Sequence, residues 1–94
     1  MTTVVDMPCT SLPPVTTASN LRNKLAVVAP KAHVDFLFWG GVSGNSIREG
    51  DWRRDVAELV VEGVGAFKLY LLSGMETYRD LAPDEIREVL CELF

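Results

Sequence analysis

One lysine, Lys68, interrupts the apolar run AFKLYL of residues 66–71. A short run of this type, bounded by Gly65 and Ser73–Gly74, predicts a buried strand, so its lysine needs a partner or a route to water. A buried ammonium loses its proton more readily, and the neutral amine can add carbon dioxide to give a carbamate that bridges two metal ions. The simpler alternative is a strand-end lysine whose amine reaches solvent. Spacing alone favours this simpler alternative.

Strand alternation divides the side chains of this run between two faces. We expect one face to carry Phe67, Leu69 and Leu71, and the other to carry Ala66, Lys68 and Tyr70. In a closed parallel barrel, one face of each strand meets the helices and the other fills the interior. A lysine on the interior face is desolvated, and this is the condition under which its amine becomes a nucleophile.

The remaining candidate groups are few. His33, the only histidine, opens a predicted strand and therefore lies at the amino end, away from the edge where parallel sheets carry functional loops. We interpret it as structural, and no Ser-His-Asp set or zinc site can be assembled around it. Asp6 ends the first predicted strand, either as a catalytic carboxylate or as an acceptor for turn amides. The segment GGVSGN at 40–45 lacks both common phosphate-loop patterns and is a weak signal.

The order of elements is strand, loop and helix, three times over. We predict strands at 2–7, 33–39 and 65–71, and helices at 19–29, 51–63 and 83–94. Thr16 or Thr17, Asp51 and Pro83 mark the helix starts. This alternation predicts an α/β fold of three consecutive βα units with a parallel sheet. The loops after the strands, at 8–16, 40–50 and 73–80, are longer than usual, which favours a functional face.

Composition restricts the class of protein further. The chain has 94 residues, enough for one domain, and its net charge of −4 is not typical of nucleic-acid binding. We interpret Cys9 and Cys91 as reduced thiols of a cytoplasmic protein, because they match no zinc or disulfide spacing. No signal peptide or membrane-spanning run is predicted. A strand directly after Met1 and a helix still running at residue 94 predict a segment, residues 1–94, that is truncated at both ends.

Five motifs in this order resemble the cyclic amidohydrolases, with the allantoinase branch nearest and the hydantoinases and dihydroorotases next. They are TTVVDMP, SLPPVTT, NLRNKL, HVDFLFWGG and GVGAFKLYLLSG, and together they span nearly the whole chain. The resemblance implies a fragment of a (β/α)8 barrel, from its second to its fourth unit. The activity it implies is hydrolysis of a cyclic amide by a metal-bound hydroxide at a two-metal centre, commonly zinc.

The resemblance also implies roles for individual residues. Lys68 stands where the family has a carboxylated lysine that bridges the two metal ions, which reverses the preference drawn from spacing. Thr10 and Ser11 follow the DMP motif and are candidate substrate-binding residues, although Cys9 and Thr10 replace an asparagine-containing pair of the relatives. The family's paired histidines fall before this stretch, and its other ligands fall after it. We therefore expect the chain alone to bind no metal, to leave Lys68 uncarboxylated and to be inactive.

A different class of function is also open. A free-standing, non-catalytic α/β protein of three parallel strands would expose two sheet edges and one apolar face. Such a protein is expected to form homo-oligomers by pairing these edges with copies of itself.

Overall fold

The computed structural model describes residues 2–8 and 11–94, which form an α/β fold of four short strands and four helices. The strands are β1 (Thr3–Asp6), β2 (Asp35–Phe38), β3 (Gly40–Gly41) and β4 (Phe67–Lys68). The helices are α1 (Ala18–Val28), α2 (Gly44–Glu49), α3 (Trp52–Val61) and α4 (Pro83–Leu93), and a 3-10 turn at Ala29–Lys31 follows α1.

The strands pair in parallel as two small sheets, β1 with β2 and β3 with β4. Only Trp39 separates β2 from β3, and its N–H donates to the Asp6 carbonyl at 2.9 Å. The next N–H, that of Gly40, donates to the Ala66 carbonyl on the opposite side, also at 2.9 Å. Residues 35–41 thus form a central extended segment with β1 beside its first half and β4 beside its second half. The predicted parallel pairing is confirmed.

The three consecutive βα units of the sequence analysis are not observed as such. The second predicted strand, 33–39, is shortened to Asp35–Phe38, and the third, 65–71, is reduced to Phe67–Lys68. Among the strands that the structure describes, β4 is hydrogen-bonded to one neighbour, β3. Its extended backbone is therefore held by hydrogen bonds along one edge only. Beyond it, Leu71 and Leu72 are 73% and 85% exposed, which corrects the prediction of a buried strand reaching residue 71.

The predicted loop at 40–50 also contains regular structure. Its two glycines form β3, and α2 begins after Ser43. The Ser43 hydroxyl accepts from the Ser46 N–H at 3.1 Å, while the Ser46 hydroxyl accepts from the Ser43 N–H at 3.3 Å. This reciprocal capping box starts a helix in a segment whose glycine content predicts a loop.

The predicted helix starts are mostly confirmed. Thr17 caps α1, accepting from the Asn20 N–H at 3.1 Å, and Asp51 caps α3. Pro83 opens α4, where its missing N–H leaves no intrahelical bond unmade. On α3, Leu59 is fully buried, whereas the next residue, Val60, is 52% exposed. No helix in the described ranges is long and apolar enough to cross a membrane.

Two apolar clusters join the helices to the strands. The first contains Val15, Leu21, Phe38, Leu59 and Val64, and the second contains Val42, Trp52, Val56, Leu81 and Val89. Phe67 packs against both clusters and Leu69 against the second. Both clusters therefore contact β4 through Phe67, and the helices cover the face of the sheet on which Phe67 lies.

Candidate functional site at the carboxyl end of the strands

Lys68 is the last residue of β4 and lies on the face away from the helix-side core. Its neighbours Phe67 and Leu69 pack into the core clusters, so alternation directs Lys68 to the other face. The glycines of β3 give the same orientation. A Cβ on Gly40 would meet Phe67 and Leu59, whereas a Cβ on Gly41, the register partner of Lys68, would meet Tyr78.

Lys68 is half-buried, and its amine lies beside an aromatic ring. Its Nζ is 5.1 Å from the centroid of the Tyr70 ring, a cation–π contact. Within the described part of the chain, no carboxylate lies within 4.0 Å of this amine. Among residues 2–8 and 11–94, the amine therefore has an aromatic neighbour but no ion-pair partner.

The Lys68 main chain is held by two donors. Its carbonyl accepts from the Val42 N–H at 3.3 Å and from the Tyr78 hydroxyl at 2.6 Å. Tyr78 is fully buried, although the sequence analysis placed it in a polar loop. A large aromatic residue in an otherwise polar segment, METYRD, is the signal that could have identified it.

The segment after β1 reaches the same edge through Gly41. The Gly41 N–H donates to the Val15 carbonyl at 2.9 Å, so this segment lies on one side of Gly41 and β4 on the other. Ser11, a predicted substrate-binding residue, is half-buried in this segment. Its hydroxyl lies 2.7 Å from the Pro8 carbonyl oxygen and 3.0 Å from that of Pro13. Thr10, the other predicted substrate-binding residue, lies outside the described residues.

Asp6 and His33 are not brought to Lys68. Asp6 is in register with Phe38, whereas Lys68 is in register with Gly41, three residues further along the central segment, or about 10 Å. The Phe38 ring lies in the helix-side core, and Asp6, as its register partner, lies on that same face of the sheet. Lys68 lies on the other face. His33 is exposed before the start of β2, at the amino end where the sequence analysis expected it.

The GGVSGN segment has little capacity left for a phosphate. The Ser43 N–H is taken up by the capping box, and the Gly44 N–H donates to the Arg79 carbonyl at 2.8 Å. A Cβ on Gly44 would lie 2.6 Å from the Asp80 carbonyl oxygen, so the chain after β4 already fills the space there. The Gly44 amide therefore joins the start of α2 to the segment after β4.

The described residues do not by themselves fit a two-metal centre. Across residues 2–8 and 11–94, no group of three or more His, Cys, Asp or Glu side chains could hold a metal ion. Cys91 is a free, exposed thiol, and Cys9 is not among the described residues. Lys68 alone cannot make such a centre, and no chemical step through a metal follows from this geometry.

Comparison with known proteins gives a consistent set of relatives. The chain is 39% identical over 94 residues to an allantoinase of Streptomyces avermitilis, a match that covers 99% of the chain and 20% of the relative. It is 37% identical over 91 residues to an allantoinase of Saccharomyces cerevisiae, covering 96% of the chain and 18% of the relative. A mitochondrial allantoinase of Aquarana catesbeiana is 31% identical, with 99% of the chain and 18% of the relative covered.

No protein-family model matches the chain, and no solved structure matches it. The chain spans about a fifth of the length of the curated relatives that it matches. The resemblance that the motifs carry is thus confirmed by the relatives. The chain is a partial segment of an allantoinase-like protein.

Proposed function

We propose that this chain forms one part of the (β/α)8 barrel of a metal-dependent cyclic amidohydrolase that opens the ring of allantoin by hydrolysing a C–N bond. The observation that carries the proposal is the match to allantoinases along 99% of the chain. Parallel pairing of its strands supports the same assignment.

Lys68 is the residue of this chain that we assign to the metal centre, as the carboxylated ligand that bridges two divalent ions. Its place at the carboxyl end of β4, on the face away from the helices, supports that role. Ser11, together with Thr10, is assigned to the substrate. Among residues 2–8 and 11–94 no cluster of three or more His, Cys, Asp or Glu side chains could hold a metal ion. We therefore assign the other metal ligands to the rest of the allantoinase-like protein and expect the 94-residue chain alone to show no hydrolase activity.

A chimera tests this function directly. Residues 1–94 replace the matching segment of the Streptomyces avermitilis allantoinase, with which they share 39% identity, and allantoin hydrolysis is measured. We expect an active chimera with two bound metal ions. The Lys68→Ala variant is expected to lose both activity and metal, because it removes the bridging carboxylate. The matched control is Lys31→Ala, an exposed lysine after α1, which is expected to keep both.

Three results each contradict one part of the proposal. A folded chimera without activity on allantoin rejects the substrate, and full activity in the Lys68→Ala chimera rejects the role of the lysine. Turnover of allantoin at enzyme-like rates by the pure 94-residue chain with added zinc contradicts the statement that the segment alone is inactive.

A non-catalytic, self-associating protein is a second candidate function. Val5 and Leu37 are register partners on β1 and β2, and they are 52% and 58% exposed. Both lie on the face opposite Phe38, so an apolar strip of the sheet is open to solvent. Light scattering combined with metal analysis distinguishes this candidate. A metal-free oligomer of the pure chain supports it, and a monomer at micromolar concentration contradicts it.

A further inference from the structure

We propose that Tyr78 is the positioning residue of Lys68: it fixes the end of β4 and, through Tyr70, the place of the Lys68 amine. This inference rests on the proposed function for its chemical meaning, but the positioning itself is a property of the 94-residue chain. It assigns a role to a residue outside the motifs that carry the family resemblance.

The first contact is made to the main chain. The Tyr78 hydroxyl donates to the Lys68 carbonyl at 2.6 Å, shorter than the 3.3 Å ladder bond that the same carbonyl accepts from Val42. Because β4 has only two residues, this carbonyl is the last acceptor of the strand. A donor from a fully buried ring therefore determines where the strand ends and how its last residue is oriented.

The second contact reaches the side chain. The Tyr78 and Tyr70 rings meet edge to face, with centroids 5.5 Å apart and planes at 84°. The Tyr70 ring in turn lies under the Lys68 amine, 5.1 Å from Nζ. One aromatic side chain thus contacts the lysine main chain and the ring that faces its amine.

Tyr78 is itself held on several sides. The Ser73 hydroxyl donates to the Tyr78 carbonyl, and the N–H of the next residue, Arg79, donates to the Asn45 side chain at 2.8 Å. The ring and hydroxyl fill the space that a side chain on Gly41 would occupy, with Tyr78 ring carbons 2.8–2.9 Å from such a Cβ. Since Gly41 is the register partner of Lys68, the ring is inserted at the level of the lysine.

Lysine methyl NMR of the intact chain tests the positioning without reference to activity. The chain has three lysines, Lys24, Lys31 and Lys68, so reductive methylation with 13C-formaldehyde gives few signals, and two of them serve as internal controls. The Lys68 signal is expected upfield because its amine faces the Tyr70 ring. In Tyr78→Phe, which keeps the ring but removes the donor, we expect this upfield shift to diminish while the other two signals stay unchanged.

An unchanged Lys68 signal in folded Tyr78→Phe overturns the proposal, and so does an equal change in all three signals, which indicates a merely structural effect. Amide exchange of Val42 provides a second measurement and is expected to be faster in the variant. In the chimera described above, Tyr78→Phe is expected to lower kcat about 10- to 100-fold with KM nearly unchanged. An inactive parent chimera rejects the proposed function and leaves the NMR result standing, so the two failures are distinguishable.

Discussion

Arg48 and Glu85 join α2 to α4 across the fold, with Arg48 Nη2 2.8 Å from Glu85 Oε1. The same carboxylate oxygen accepts from the Ala82 N–H at 2.8 Å, which satisfies a free amide at the start of α4. One carboxylate therefore serves as a helix cap and as an ion-pair partner. Its protonation state links the position of α4 to pH.

Acid is expected to weaken this link. The backbone hydrogen bond from Ala82 and then the Arg48 guanidinium lower the pKa of the Glu85 carboxyl. The stabilisation is therefore present above the pKa of the unfolded state, near 4.5, and is lost as pH falls through the lower pKa of the folded state. Urea unfolding of wild type and Glu85→Gln should differ most at pH 7, and the difference should shrink as pH falls below 4.5. A difference that stays constant with pH contradicts this prediction.

Asp55 should give the opposite pH dependence. It is buried in the first turn of α3, and desolvation raises the pKa of its carboxyl, against the opposing effect of Arg54. A raised folded pKa favours the protonated form, so stability is greatest below the unfolded pKa and falls as pH rises through the folded pKa. Asp55→Asn, which stays neutral, is expected to become more stable relative to wild type between pH 3.5 and 7. The same urea series measures it, and a relative loss with rising pH is the contrary outcome.

Local sequence signals predicted much of the helical structure. The 3.6-residue spacing of Leu21, Leu25 and Val28 located α1, and the capping chemistry of Thr17 and Asp51 located two helix starts. These features succeed because each depends on residues within one or two turns. The parallel pairing also followed, since helices between strands require crossovers.

The features that depend on distant partners were not predicted. The length of β4 depends on hydrogen-bonded neighbours rather than on the apolar run around Lys68. The burial of Tyr78 requires Gly41, 37 positions earlier in the chain, because a side chain at that position would occupy the space of the Tyr78 ring. The metal-bridging role proposed for Lys68 came from a combination of motifs, because spacing alone favoured a solvent-reaching lysine.

Leu59 and Val61 provide a test of which face of α3 is buried. Leu59 is fully buried in the first apolar cluster, so Leu59→Ala is expected to lower the free energy of unfolding by about 2–5 kcal/mol. Val61 is 86% exposed on the same helix, and Val61→Ala should change it by less than about 0.5 kcal/mol. Chemical denaturation of both variants measures the difference. Equal losses would mean that the orientation of α3 is wrong.

The fit of Tyr78 against Gly41 makes a matched prediction about two glycines. In Gly41→Ala, the new methyl group would meet the Tyr78 hydroxyl and ring carbons, so the fully buried Tyr78 side chain would have to shift. We expect a loss of about 1–3 kcal/mol in the free energy of unfolding, typical of overpacking. Gly65→Ala is the control, because a Cβ there meets no atom within 4 Å, and its effect should stay below about 0.5 kcal/mol. Thermal and urea unfolding measure both, and a tolerated Gly41→Ala would show that Tyr78 is not seated at the level of Lys68.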